Sequence, residues 1–208
     1  MRILAGDIQS GADINTAMQK ITEYADSDVI CLQNVPDSLR TPILKLEDRI
    51  GRVIHSSPGV NSVISLKKTS VKVTYPLNSL VVMPSDDKKD AIKGTYLHFL
   101  SLTFKGYFYF IGNYEGLLNQ QDPVLVKQSE LLLTAFTGAK EKIIFLLNLH
   151  TSFKNIGMRI LEQRLVNTIK AKGLGSDGMS ILVSSDVIVK DLKRLNVSGA
   201  QFFFGDYR

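Results

Sequence analysis

The stretch Asp28–Pro36, DVICLQNVP, decides the fold. Its apolar run, Val29 to Leu32, is continuous and rich in β-branched residues, which predicts a strand covered on both faces in the middle of an α/β sheet. The stretch then turns abruptly polar at Gln33 and Asn34. In open α/β folds, ligand-binding and catalytic groups collect where buried strands end in polar residues. The stretch therefore predicts both a central strand and a candidate site at its end.

Three other predicted strands run from apolar into polar residues in the same way. They are Arg2–Gln9 with Asp7, Tyr107–Asn113 followed by Glu115, and Lys142–Leu149 with Asn148 and a nearby His150. We therefore predict that the fold brings these four strand ends together. The first strand, a helix and the Asp28 strand form a βαβ-like beginning, so the first two strands are expected to be neighbours in one sheet.

Periodicity and turn residues predict the remaining elements. Helices are predicted at Asp13–Tyr24, Ser38–Arg49, Pro123–Phe136 and Ile156–Lys172. Short strands are predicted at Val53–Ile54, Val60–Leu66, Val71–Tyr75, Leu80–Met83, Thr95–Thr103, Met179–Ser184, Val187–Leu195 and Gln201–Phe204, with a charged loop at Ser85–Lys93. Lys105-Gly106 is predicted to turn a hairpin between the Thr95 and Tyr107 strands.

Composition bounds the class of protein. The chain has 208 residues, 44% of them hydrophobic and 22% charged, which is typical of a soluble globular protein. This length favours a single domain that spans residues 1–208. No apolar run approaches the roughly 20 residues of a membrane span, and the start of the chain is too quickly polar for a secretory signal. The single cysteine, Cys31, excludes an internal disulfide and fits a reducing cytoplasm. The net charge of +5 permits an anionic partner without requiring one.

The polar strand ends, taken in order, resemble the signatures of the endonuclease/exonuclease/phosphatase family. This family includes abasic-site endonucleases, deoxyribonuclease I-like enzymes and inositol-phosphate phosphatases. The resemblance covers nearly the whole chain. It implies a four-layer α/β sandwich of two mixed β-sheets flanked by helices, with the active site at one rim of the sheets. The segments that carry it are Gly6-Asp7-Ile8, Leu32-Gln33-Asn34, Asn113-Tyr114-Glu115-Gly116, Val126-Lys127-Gln128, Leu147-Asn148-Leu149-His150, Gly178–Ser184 and Gly205-Asp206-Tyr207-Arg208.

The chemistry of these segments departs from the family pattern. The resemblance to W-N-I, L-Q-E and G-D-F-N places Asp7 at an asparagine position. It places Asn34 at the position of the metal-binding glutamate. It places Asn148 at the position of the aspartate that orients the nucleophile. Glu115 stands where N-T-H-L has its histidine. In the match to S-D-H-R-P, Asp206 keeps the aspartate, and a tyrosine replaces the histidine.

These departures argue against the family's usual activity. Mg²⁺ is held by hard oxygen ligands that are usually anionic, and Asn34 offers no charge. Tyr207, with a reference pKa near 10, is poorly suited to accept a proton from water. Glu115 would place a negative charge where phosphate is expected, and like charges repel.

Two hypotheses follow. The preferred one is a degenerate, non-catalytic member of this fold, a binding or structural module without a cofactor, in which the strand-end acids are solvated and the amides tie loops together. The alternative is a divergent phosphodiesterase or nuclease with a rebuilt Mg²⁺ site. In that case Asp7, Asn34 and Glu115 would hold the metal, and His150, Asp206 and Asn148 would be catalytic.

Both hypotheses leave the partner open. A nucleic acid, another phosphoester ligand or a protein are the candidate partners, and a membrane is not. Lys67-Lys68 and Lys190–Arg194 either contact phosphates or form solvated faces. We also predict that the end of the chain lies at the site rim, where Arg208 would pair with Asp7 or Glu115.

Overall fold

The computed structural model describes residues 1–8, 12–45, 52–56, 62–83, 95–116, 121–149, 155–175 and 178–208, and the structural statements below concern these ranges. They contain two six-stranded mixed sheets. In chain order the strands are β1 (Arg2–Ile8), β2 (Val29–Gln33), β3 (Arg52–Ser56), β4 (Val63–Lys67), β5 (Lys72–Met83), β6 (Thr95–Phe104), β7 (Tyr107–Glu115), β8 (Lys142–Asn148), β9 (Val166–Asn167), β10 (Met179–Val183), β11 (Val189–Val197) and β12 (Ala200–Tyr207). The helices are α1 (Ile14–Glu23), α2 (Asp37–Leu44), α3 (Asp122–Phe136), α4 (Ile156–Leu161) and α5 (Thr168–Ala171).

The first sheet has the strand order β11-β12-β1-β2-β4-β3. Strands β1 and β2 are parallel neighbours, with Ala5 opposite Cys31 and Asp7 opposite Gln33, so the predicted pairing of these two strands is confirmed. Asp13 caps α1, the crossover helix between them, because its carboxylate accepts from the backbone N–H of Asn15. Parallel pairing brings the polar ends of β1 and β2 to the same edge.

The second sheet has the order β5-β6-β7-β8-β10-β9. As predicted, the hairpin of β6 and β7 turns at Lys105 and Gly106. Both residues have positive φ. Strands β7 and β8 are parallel, with Glu115 opposite Asn148. This sheet therefore also presents its two polar strand ends at one edge.

Three apolar clusters define four layers. One cluster joins the inner faces of both sheets, from Cys31 in the first to Leu146 in the second. A second packs α3 and α4 on the second sheet, and a third packs α1 and α2 on the first. The predicted architecture, two mixed sheets between outer helices, is confirmed. None of the helices in the described ranges is long and apolar enough to cross a membrane.

The predicted helix Ile156–Lys172 is wrong. The segment forms α4, then the short strand β9, then α5. The reason is a long-range pairing: Val166 and Asn167 lie opposite Val183 and Leu182 of β10. Asn167 then ends the strand by capping α5, because its side-chain oxygen accepts from the backbone N–H of Lys170.

Two further predictions need adjustment, and a third lies outside the described ranges. The strands predicted at Val71–Tyr75 and Leu80–Met83 are one strand, β5, whose register shifts between Tyr75 and Asn78 and thereby accommodates Pro76. Helix α2 ends at Leu44, and the last residues of the predicted Ser38–Arg49 helix lie outside the described ranges. The charged loop Ser85–Lys93 also lies outside them.

Arg52 anchors the edge strand β3 and is fully buried. Its Nη1 donates to the carbonyls of Ser27 (2.6 Å) and Ala25 (2.9 Å), and its Nη2 donates to that of Ser65 (2.7 Å). Burial lowers the pKa of Arg52 to about 10, against the opposing charge of Asp28. The guanidinium is thus cationic at neutral pH and donates to carbonyls that are buried or partly buried.

We expect Arg52→Met to lower the free energy of unfolding by about 3 kcal/mol or more, since each buried polar group left unsatisfied costs ~1–3 kcal/mol. Urea denaturation measures the change. The matched control is Arg2→Met, because Arg2 is exposed and donates to one exposed carbonyl, that of Asp26. Equal destabilisation by the two variants would contradict the anchoring role of Arg52.

Candidate functional site

The carboxyl ends of β1, β2, β7 and β8 meet between the two sheets. Five polar side chains lie there, and we call them the inter-sheet clamp: Asp7, Gln33, Asn34, Asn113 and Asn148. All but the half-buried Asn34 are at most 1% exposed. The structure thus brings together the four strand ends singled out in the sequence.

Asp7 is the charged centre of the clamp. Its Oδ1 accepts a hydrogen bond from Nδ2 of Asn34 (2.7 Å), and its Oδ2 accepts one from Nδ2 of Asn148 (2.9 Å). The carboxylate fixes the orientation of both amides, because turning either one would set its carbonyl oxygen against a carboxylate oxygen. Asn34 and Asn148 therefore act as hydrogen-bond donors towards the centre of the site.

A second set of hydrogen bonds ties the sheets together beside Asp7. Gln33 of the first sheet donates through Nε2 to Oδ1 of Asn113 (2.8 Å) and to the carbonyl of Tyr114 (2.8 Å) in the second. Asn113 returns a bond from Nδ2 to the carbonyl of Leu32 (3.0 Å). These bonds fix the spacing of the sheets at this edge, because separating the sheets would leave the buried amide N–H groups without acceptors.

Asn34 owes its position to the turn that ends β2. Its φ is 53°, in the left-handed region that asparagine tolerates better than most residues. A glutamate, which the family resemblance places here, would be strained in this conformation. The backbone thus agrees with the short amide side chain found in this sequence.

Glu115 lies on the same sheet face as Asn148, directly opposite it in the parallel pairing of β7 and β8, and is half-buried. Two acids, Asp7 and Glu115, therefore flank one amide. His150, predicted as a candidate for proton chemistry, lies outside the described residues.

The described side chains of the clamp do not fit a divalent metal ion. In the part of the chain that the structure describes, no group of three or more His, Cys, Asp or Glu side chains could hold a metal. Mg²⁺ takes oxygen ligands, whereas the two amides turn their N–H groups to Asp7 and the carboxylate already accepts with both oxygens.

The end of the chain lies elsewhere than predicted. Strand β12 is antiparallel to β1, with Asp206 opposite Arg2 and Gln201 opposite Asp7. The predicted pairing of Arg208 with Asp7 or Glu115 is wrong, because Nη2 of Arg208 donates to Oδ2 of Asp206 (2.6 Å).

The structure therefore does not bring Asp206 to the site edge. Burial raises the pKa of Asp206, but hydrogen bonds from Arg208 and the Met1 ammonium outweigh this and hold the pKa below its usual value. The residue of β12 beside Asp7 is instead Gln201, which is buried. No local pattern pointed to Gln201 as a neighbour of Asp7, since the register of an antiparallel last strand is a long-range property.

The remaining candidates lie away from the clamp. Burial raises the pKa of the Cys31 thiol to about 12, which leaves it protonated, and lowers that of His98 to about 4, which leaves it neutral. Nδ1 of His98 lies 2.9 Å from Oγ of Ser79. In the basic run of β11, Lys193 lies over the rings of Tyr24 and Phe204, each 5.4 Å from its Nζ.

Comparison with known proteins supports the fold. No protein-family model and no curated protein sequence matches the chain. Three similar solved structures are the human Nocturnin catalytic domain with bound sulfate, an endonuclease/exonuclease/phosphatase from Bacteroides vulgatus, and D. rerio TDP2 with a single-strand DNA product. Their identities are 14%, 10% and 11%, and their TM-scores 0.77, 0.79 and 0.75. Each match covers 100% of this chain and 93%, 98% and 99% of the other.

These neighbours include members of the endonuclease/exonuclease/phosphatase family, and the fold of the chain is the deoxyribonuclease I-like fold of that family. The fold that the strand-end resemblance implied is thus confirmed. At 9–14% identity among the neighbours, the likeness concerns architecture.

The hydrogen bonds of the clamp allow a test of where its carboxylate must lie. We expect Asp7→Asn to lower the free energy of unfolding by about 1–3 kcal/mol, because an amide at position 7 cannot accept from both Asn34 and Asn148. Adding Asn34→Asp should restore most of the loss, since the new amide at position 7 would accept from Asn148 and donate to the new carboxylate, and aspartate tolerates the positive φ of position 34. Urea denaturation of the single and double variants measures the recovery.

The control for this prediction is Asp191→Asn, which removes one carboxylate from an exposed position whose φ of 52° suits asparagine. We expect no loss of stability there. A double variant that is less stable than Asp7→Asn would show that the hydrogen bonds at Asp7 do not set the stability of this edge.

Proposed function

We propose that the chain is a non-catalytic module of the endonuclease/exonuclease/phosphatase fold, with a binding or structural role, in which the family's metal edge has become a tie between the sheets. The observation that carries the proposal is the pair of hydrogen bonds at Asp7. Both of its carboxylate oxygens accept from amides, at the positions where the resemblance places acidic residues.

The electrostatics support this reading. A metal site of the family type concentrates anionic oxygens, which repel one another until the cation binds. The clamp has a single carboxylate with two donors and is stable by itself. It has no geometric need for a cation, and it leaves no oxygen of Asp7 without a hydrogen bond.

A second candidate is a metal-dependent phosphodiesterase or nuclease with a rebuilt acidic site. The observation that favours it is that Asp7 and Glu115 both flank Asn148. Asp206 has no part in this candidate, because it lies at the other end of β1.

The proposal also covers partner and location. One structural neighbour, TDP2, is complexed with single-strand DNA product, and the net charge of this chain is +5, so a nucleic acid or another phosphoester is the favoured class of partner. The lone buried Cys31 suits a reducing, cytoplasmic location.

We expect the purified chain to show no Mg²⁺-dependent cleavage of abasic-site, duplex or single-stranded DNA above buffer background, and no calorimetric Mn²⁺ binding. The variant Asn34→Asp/Asn148→Asp adds two carboxylates beside Asp7. We expect it to be less stable without metal, because like charges repel, and to gain a Tm increase with Mn²⁺ because the cation binds only the folded state.

The wild-type chain serves as the control for the Mn²⁺ response. Robust DNA cleavage by the wild type that Glu115→Gln abolishes would overturn the non-catalytic proposal and establish the second candidate. Mn²⁺ binding by the wild type that Glu115→Gln removes would likewise contradict it.

A further inference from the structure

A cavity of about 510 Å³ opens at the end of the sandwich opposite the inter-sheet clamp. Strands β7 and β8 begin at its wall with Tyr107 and Lys142, and β12 ends there with Tyr207. The clamp lies at the other end of β7 and β8. The cavity is thus a separate site, and what it binds does not depend on whether the clamp edge is catalytic.

The floor of the cavity is apolar and aromatic. Phe104, Tyr109 and Tyr207 line it and belong to the core cluster between the sheets. Tyr107 and Ile188 form its outer wall, with 58% and 60% of their surface exposed. Large apolar side chains with this exposure beside a cavity are typical of a site that a ligand covers.

The rim of the cavity is cationic. Nζ of Lys142 lies 4.9 Å from the ring centroid of Tyr107, and Nζ of Lys105 lies 5.4 Å from that of Phe104. Within the described ranges neither lysine makes an ion pair, and Nζ of Lys142 donates a hydrogen bond to the carbonyl of Asp186 (3.2 Å). Among the side chains of the lining, the carboxylate of Asp206 is held by Arg208 and by the Met1 ammonium. The positive charge of the two lysines is therefore available to an anion.

We propose that this cavity binds a small aromatic anion of the nucleoside monophosphate type, with its ring against Phe104 and Tyr107 and its phosphate between Lys105 and Lys142. The volume suits such a ligand, because small-molecule pockets span about 300–1,000 Å³. An aromatic ring gains apolar burial and stacking on this floor, and a phosphate gains charge-assisted hydrogen bonds at this rim. The combination selects a molecule that carries both groups.

Tyr109 adds a polar contact at the floor. Burial raises the pKa of its phenol above the usual value, and the neighbouring Tyr107, Asp206 and Asp186 act in the same direction. The hydroxyl is neutral at physiological pH, so it can donate a hydrogen bond without repelling an anion.

The test is calorimetric titration with AMP, adenosine and inorganic phosphate at low salt. We expect AMP to bind more tightly than adenosine or phosphate alone. Lys105→Gln and Lys142→Gln should each weaken AMP by roughly fivefold while leaving adenosine nearly unchanged, because each removes one charge from the phosphate site. Tyr107→Ser should weaken both AMP and adenosine, because it removes the stacking surface.

The matched control is Lys170→Gln, which removes a lysine that pairs with Glu162 on another part of the surface. We expect it to leave AMP binding unchanged, and thermal unfolding of each variant verifies its fold. Phosphate binding as tight as AMP, equal weakening by the control, or no AMP binding at millimolar concentration would each overturn the proposal.

Discussion

The hydrogen bonds that Asp7 accepts from Asn34 and Asn148 are the constraint on which this edge of the molecule depends. A carboxylate between two packed sheets is tolerated only when donors replace the water that it loses. Asn34 directly follows β2 of the sheet that contains Asp7, and Asn148 lies in the other sheet, so satisfying one charge also joins the sheets. An acid at either neighbouring position would repel Asp7. The residue types at positions 7, 34 and 148 therefore depend on one another.

Much of the fold could be predicted because its signals are local. The run from Val29 to Leu32 predicts a buried strand, Asp13 predicts the start of α1, and Lys105-Gly106 predicts the turn of a hairpin, each within a few residues of sequence. The Ile156–Lys172 segment failed because its structure is decided by β10, with which Val166 and Asn167 pair. A helical period carries no information about such a partner, and the competing sheet pairing prevailed over it.

The position of the site could be predicted from the sequence, but the contacts between its side chains could not. The polar strand ends indicated where Asp7, Asn34 and Asn148 converge, yet which atoms face each other depends on the spacing of two sheets. The bond from Gln33 to Asn113 spans 80 residues of sequence, and no pattern along the chain predicts it. Asp206 was misplaced for the same reason: a strand-end acid looks alike at either end of an antiparallel strand, and only the register of β12 on β1 decides which end it occupies.

The inner layer between the two sheets is closed differently at the clamp end and at the cavity end. Wherever two sheets lie face to face, the inner layer must be closed at both ends against water. At the clamp end, polar side chains from both sheets close it, and their amide N–H groups donate to Asp7, to Asn113 or to strand carbonyls. At the other end, aromatic core residues reach a cavity, and lysines stand at its rim over Phe104 and Tyr107. A ligand gains binding energy where it contacts groups of the protein that have no partner within the protein. Under the two proposals made above, the clamp end is closed by its own hydrogen bonds and the opposite end is where we expect a ligand to bind.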